Sequence, residues 1–544
     1  MADTSAVTAT AASYLLSQLP LFVLLCPSVL ICFLLCRAAY NCSLHPLANF
    51  PGPRLWAASR LPYALRLWQG RLHEHIKRLH DQYGPVVRIA PDELSFTDNA
   101  AWQDIYCGGV ANKGFPKHGA YRNAQTFESL FDASDDNHTR LRRLLKNDFF
   151  SLRAARRQER IVQEYAGRLI AQLRNHHCSD SSDSSDDTKK HPADLREWYN
   201  FATFDIIGRV TLSEDFGCLD GRAYHPWILM VVTHFKLSAL LMCLRFYPPL
   251  PSLLSRLAPA RLLCLRDQFI SLIREKVGRR VQRTLPPGEE DFVTASHLSE
   301  LEANSILLLL AGSETIATSL LSATHLLCEN PTIMRRLAAE IRSTVSESDI
   351  TYENTTSNMP YLNAVLRETH RLCPPLANGP ARVVDGNGAV IAGHFVPPGT
   401  SVGVTQYAAN RSSTNFTDPD EFLPERWLSP ELAAKYTTGF GQKTCKYAKC
   451  GTDVREVVRP FSAGGRDCLG QNLAWVEFRV LLARMIWNFD FEVYCGDGDR
   501  SDNGTASRPS AFRKWTDQKA MMLWHKESYP VRLFGRKKGE SYKH

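Results

Sequence analysis

The stretch richest in chemistry is Phe461-Ser-Ala-Gly-Gly-Arg-Asp-Cys-Leu-Gly470, directly ahead of an amphipathic run from Gln471 to Trp487. It places one thiol, Cys468, on a glycine-rich turn where a helix begins. A thiolate there is favoured by the helix dipole and by backbone N–H groups that have no partner within the helix. Arg466 adds a fixed positive charge two residues away, so the expectation is an anionic Cys468 able to ligate a metal. Gly464 and Gly470 supply the backbone freedom and the missing bulk that let a flat ligand lie against the chain. A lone cysteine is more often a small core hydrophobe; the spacing of glycines, arginine and aromatic around it is what points to ligation.

A second centre lies in Leu307-Leu-Leu-Leu-Ala-Gly-Ser-Glu-Thr-Ile316, an apolar helical run carrying an acid and an alcohol in its middle. Polar groups in the middle of such a run need a reason. One is structural: the threonine bonds back to the preceding turn and the glutamate forms an ion pair. Gly312 costs about 1 kcal/mol of helix stability against alanine, which implies that something approaches the backbone there. Further on, Glu368-Thr-His-Arg371 pairs opposite charges at i,i+3, and Phe422-Leu-Pro-Glu-Arg426-Trp427 follows. His138 and Arg142 share a helix face at i,i+4.

The elements that must position these residues read mainly as helices, for instance Ala154 to Leu173, Pro259 to Arg283 and Leu298 to Cys328, with a strand pair over Tyr83 to Phe96 marked by a Gly-Pro turn and a β-branched run. The segment from Leu15 to Cys36 has no charge and is long enough to cross a bilayer; basic residues follow it, which predicts a luminal N-terminus and a cytoplasmic remainder. We read residues 1–36 as luminal tip and anchor, 37–55 as a stiff proline-rich linker, and 56–544 as one catalytic domain. A Ser/Asp-rich stretch, residues 176–192, reads as a disordered loop within it. The 544 residues carry 44% hydrophobic and 22% charged side chains and a net charge of +8. That describes a globular core and is too small a charge to argue for nucleic acid. The fifteen cysteines form no CxxC or zinc spacing, so the thiols are expected to be reduced and cytosolic.

The Cys468 loop matches the pattern Phe-x-x-Gly-x-Arg-x-Cys-x-Gly at every fixed position and resembles the haem-binding loop of cytochromes P450. The other motifs fall in that family's order. Pro53 to Pro62, Tyr199 to Gly208 and Arg484 to Asp490 are worded like filamentous-fungal microsomal enzymes of secondary metabolism. The resemblance implies a mainly α fold with small β-sheets, forming a single large haem domain behind a transmembrane helix. It implies haem b ligated by Cys468, with Phe461, Gly464, Arg466, Gly470 and Ala311 against it. His138 (where relatives have tryptophan), Arg142, Arg466 and Arg382 would meet the propionates. It further implies oxygen activation by Thr315 and Glu314, and a structural network of Glu368, Arg371 and Arg426. The activity implied is oxidation of an apolar polyketide, terpenoid or alkaloid. NADPH electrons would arrive through a flavoprotein (FAD/FMN) reductase docked on a basic face of Arg140, Arg143, Lys146, Lys446, Lys449, Arg455 and Arg459, at the endoplasmic reticulum membrane. Desaturation or ring closure on the same fold, and a non-catalytic haem protein, are the alternatives. The chain is short between Phe292 and Leu298 and carries an insert from Phe440 to Gly451 with Cys445 and Cys450.

Overall fold

In the computed structural model, residues 28–108, 114–121, 129–179, 191–225, 242–247, 260–282, 298–343, 346–438, 450–494 and 514–536 are described. Most of the expected anchor, the Ser/Asp run 180–190, the short stretch before the central helix, and the insert with Cys445, Lys446 and Lys449 lie outside them. Ten helices of twelve or more residues stand among the described residues: α1 (Ser28–Ser43), α2 (Leu72–Tyr83), α3 (Asp135–Asp148), α4 (Leu152–His177), α5 (Leu195–Leu212), α6 (Ala260–Gln282), α7 (Leu298–Glu329), α8 (Pro331–Arg342), α9 (Pro360–Leu372) and α10 (Gln471–Asn488).

The central element is α7, apolar around much of its circumference as a helix enclosed by others must be. It runs along α5 and also meets α9 and α10. Gly312 is needed here for packing: a Cβ would fall 2.6 Å from Ile207 Cδ1 of α5. What approaches the helix at that glycine is therefore a neighbouring helix. By length and hydropathy α7 could cross a membrane, but most of it is buried in protein.

The expected strand pair forms as β1 (Val86–Ala90) and β2 (Glu93–Phe96), antiparallel, with Val86 opposite Phe96. β2 continues parallel to Ser401–Val404, which pairs antiparallel with Arg382–Val383. This sheet sets the position of Arg382. A second sheet joins Phe489–Val493 and the two-residue strands Cys178–Ser179 and Ala193–Asp194 to Pro530–Gly535.

Two expected boundaries are corrected. His176 and His177 complete the last turn of α4 and Cys178 enters a strand, so the disordered stretch cannot begin at 176. The proline-rich segment is no free spacer either: Pro51 O accepts from Arg88 N at 2.7 Å, and a Cβ on Gly52 would lie 2.5 Å from Arg88 O. Hydrogen bonding to an otherwise open strand edge holds this segment on the domain.

Candidate active site

Cys468 sits where the loop passes into α10, and its backbone N–H donates to Phe461 O at 2.8 Å, closing the turn. The turn needs Gly464: its φ is +76°, and a Cβ there would meet Tyr106 O. Gly470 is different. Its φ of −83° is open to any residue, and a Cβ would find Phe150 at an ordinary 3.7 Å, so its expected conformational role is not present.

At the Cys468 thiol, opposing influences meet. Burial pushes its pKa up to about 11; the Gly470 N–H and Arg142 lower it, Asp467 raises it, and burial prevails. Arg466 Nη2 donates to Ala133 O at 2.9 Å. A metal bound by Cys468 would displace the thiol proton. Cys468 nonetheless remains accessible although the fold surrounds it.

The two motifs of the sequence are linked through side chains between them. Thr315 Oγ1 bonds back to Ala311 O at 2.5 Å, and one turn on, Ser319 Oγ donates to Thr315 O at 3.1 Å. Ser319 Oγ also contacts His370 Nε2 at 3.1 Å. Since Ser319 spends its proton on Thr315, His370 must be the donor; burial holds its ring neutral, lowering its pKa to about 4. The His370 ring then packs on Phe461 (6.3 Å) and Trp475 (5.6 Å). One histidine thus bridges the Thr315 helix and the Cys468 loop. The sequence offered no signal for it, since His370 fills a variable position of the Glu-x-x-Arg motif.

His138 is buried, and its pKa is lowered to about 3 by burial and then by the charges of Arg466, Arg142, Lys117 and Arg382. The three arginines expected to converge do so, and Lys117 joins them because it bridges to Arg382 across strands. Arg142 spends two donors on the loop, one on Asp467 O at 2.8 Å and one on its carboxylate. Of the expected basic face, Arg140, Arg143 and Lys146 are exposed, and Arg455 and Arg459 half-buried.

Glu314 and its neighbours form a separate polar array. Glu314 Oε2 accepts from Lys526 Nζ at 2.7 Å, Lys526 donates to Asn200 Oδ1 at 2.8 Å, and Asn200 Nδ2 donates to Tyr224 at 2.9 Å. Both structural expectations for the acid and the alcohol are thus realised alongside whatever chemistry they do.

The Glu-Arg-Arg network is assembled and fully buried. Arg371 chelates Glu368 at 2.9 and 2.8 Å, Arg426 Nε reaches the same carboxylate at 3.0 Å, and Leu423 N and Trp427 Nε1 add bonds at 3.0 and 2.8 Å. A fourth member was not foreseen: Asp453 pairs with Arg426, giving two carboxylates for two guanidinium groups. Asp453 lies in the segment that leads to the Cys468 loop, and Arg371 also binds the carbonyls of Asn410, Pro419 and Glu421. Cys450, from the insert, is buried beside Arg426, Sγ 3.9 Å from Nη1.

An accessible thiol at a helix start and four cations gathered around a neutral histidine fit a haem: one thiolate for its iron, cations for its two propionates. The sequence model of the cytochrome P450 family matches residues 50–512. The chain is 37% identical over 515 residues to cytochrome P450 monooxygenase lcsI of Purpureocillium lilacinum, covering 92% of each protein. It is 38% identical to cytochrome P450 monooxygenase stcF of Emericella nidulans, over 86% of this chain and 92% of the relative. To averantin hydroxylase of Dothistroma septosporum it is 35% identical, over 91% and 88%. Matches of that reach, on a fold that brings the thiol loop and the acid–alcohol helix together, place this chain in the cytochrome P450 family, among the haem-thiolate monooxygenases.

Proposed function

We propose that the protein oxidises an apolar secondary metabolite, inserting oxygen with electrons from NADPH delivered by a flavoprotein reductase. The observation that carries this is the joining of the Thr315 turn to the Cys468 loop through Ser319 and His370. The haem, when bound, supplies dioxygen activation, and the thiolate of Cys468 would hold its iron and push electron density toward it. Arg466, Arg382, Arg142, Lys117 and His138 would hold the propionates. The Thr315 hydroxyl, released from Ala311 O, can offer a proton at the reacting oxygen, and Glu314 can resupply it. Averantin hydroxylase, by its name a hydroxylating relative, supports hydroxylation over desaturation or ring closure.

Thr315→Ala tests this. The lost bond runs only to Ala311 O within α7, so haem content and fold should persist. A positioned proton donor contributes roughly a hundredfold in rate; without it, NADPH consumption should continue while product falls and hydrogen peroxide rises. Equal product per NADPH would mean that Thr315 has no part in oxygen activation and serves only the helix, through its bond to Ala311 O.

We further infer a single-pass anchor in the endoplasmic reticulum membrane with the catalytic domain cytoplasmic. Support comes from α1, whose Val29, Leu30, Ile31, Phe33, Leu34 and Leu35 are all more than half exposed, a face that water disfavours. Deleting the first 36 residues should release protein from carbonate-washed membranes with its haem spectrum intact. Full-length protein already in the soluble fraction would overturn the anchor.

A further inference from the structure

Lys526 is buried in the interior beside Glu314, with side chains 4% and 12% exposed respectively. A lysine is almost never buried without a partner, and taking two ions out of water costs several kcal/mol each before their attraction is counted. Apolar residues of the same volume often stabilise a core as well or better than such a pair. Stability is therefore a poor reason for Lys526 to be here, and its effect on the carboxylate next to Thr315 is a better one.

The ammonium is held from two sides. Glu314 Oε2 accepts at 2.7 Å and Asn200 Oδ1 at 2.8 Å, and Asn200 is itself oriented by the Tyr224 hydroxyl at 2.9 Å. The segment bearing Lys526 is pinned to the chain that follows α9, by Trp524 Nε1 to Pro374 O at 2.8 Å and by Asn378 Nδ2 to Met521 O at 3.3 Å. The carboxamide of Asn200 does not readily pass a proton, so this array orients rather than conducts.

We propose that Lys526, oriented by Asn200 and Tyr224, is a positioning residue for Glu314: it fixes the direction of the carboxylate by charge and hydrogen bond, and so sets how well Glu314 serves Thr315. This rests on the oxygen-activating role proposed above for the acid–alcohol pair.

The test uses the full-length holoprotein with Lys526→Met, Lys526→Arg, Glu314→Gln and the Glu314→Gln/Lys526→Met pair. Carbon monoxide is the probe: its stretching frequency in the reduced complex reads the local field. Peroxide formed per NADPH in the presence of reductase is the second readout. Lys526→Met should shift or split the carbon monoxide band and raise the peroxide share several-fold. Lys526→Arg should restore both, and in the double variant the lysine change should add nothing to Glu314→Gln. Should Lys526→Met fail to fold, Lys526→Gln carries the same comparison. A lysine that only braces the fold would lower the unfolding temperature and leave band and peroxide share at parental values, which overturns the proposal. A parent that forms no thiolate-type carbonyl spectrum removes the haem-thiolate reading and this inference together; a normal parent with indifferent Lys526 variants removes this inference alone.

Discussion

Cys468→Ala should abolish the long-wavelength Soret band of the reduced carbonyl complex while leaving the polypeptide folded. The loop is closed by the backbone N–H of residue 468 on Phe461 O and by the fit of Gly464 against Tyr106, neither of which uses the thiol. The side chain is accessible, so its truncation leaves no packed cavity of the kind that destabilises a core. What is lost is the thiol that would become the thiolate ligand of the iron. Haem retained through the cationic cluster alone would lack the thiolate signature. Exposed Cys264, on α6, is the control, and Cys264→Ala should leave the band unchanged. A long-wavelength band surviving in Cys468→Ala would mean that another thiol holds the iron.

What the sequence disclosed was whatever is encoded contiguously. The ten-residue thiol loop, the Glu-x-x-Arg pair and the helix spans over α4, α6 and α7 are local patterns, and a local pattern survives in one dimension. The partners that complete the site are long-range and leave no such trace. Asp453 neutralises Arg426 from an irregular segment, Lys526 reaches Glu314 from just before the last strand, and Lys117 joins the arginines through a β-bridge. Gly312 was readable as a close approach but not as an approach by Ile207. The charge of the Cys468 thiol rests on a balance of opposing influences. Helix N-terminus and nearby arginine were visible in sequence, whereas the packing around the loop, and the hydrogen bond from Arg466 to Ala133 O, are properties of the fold.

The network around Glu368 is where a single substitution should do most harm to the fold. Glu368 and Arg371 are completely buried, and Glu368 is the shared acceptor of Arg371, Arg426, Leu423 N and Trp427 Nε1. Glu368→Ala leaves Arg426 with Asp453 as its carboxylate and Arg371 with backbone carbonyls. Breaking a buried pair from one side typically costs about 3–5 kcal/mol, against a total stability on the order of 5–15 kcal/mol. Denaturant midpoints should fall sharply, and haem content with them, because Arg426 and Asp453 hold the segment leading to Cys468. Glu368→Gln, which keeps an acceptor but not the charge, should fall between. The pH dependence has a definite sign. Burial would raise the Glu368 pKa, but Arg371 first and then Arg426 and the Leu423 N–H outweigh it and hold it below the usual carboxylate range. A folded value below the unfolded one means the stabilisation is whole above about pH 4.3, the ordinary glutamate value, and drains as pH falls through the folded value. The gap between parent and Glu368→Gln should therefore narrow only in acid. A parent and a Glu368→Ala variant with matching midpoints at neutral pH would mean that the arginines are held by their carbonyl contacts alone, and that the carboxylate the sequence singled out is dispensable to the fold.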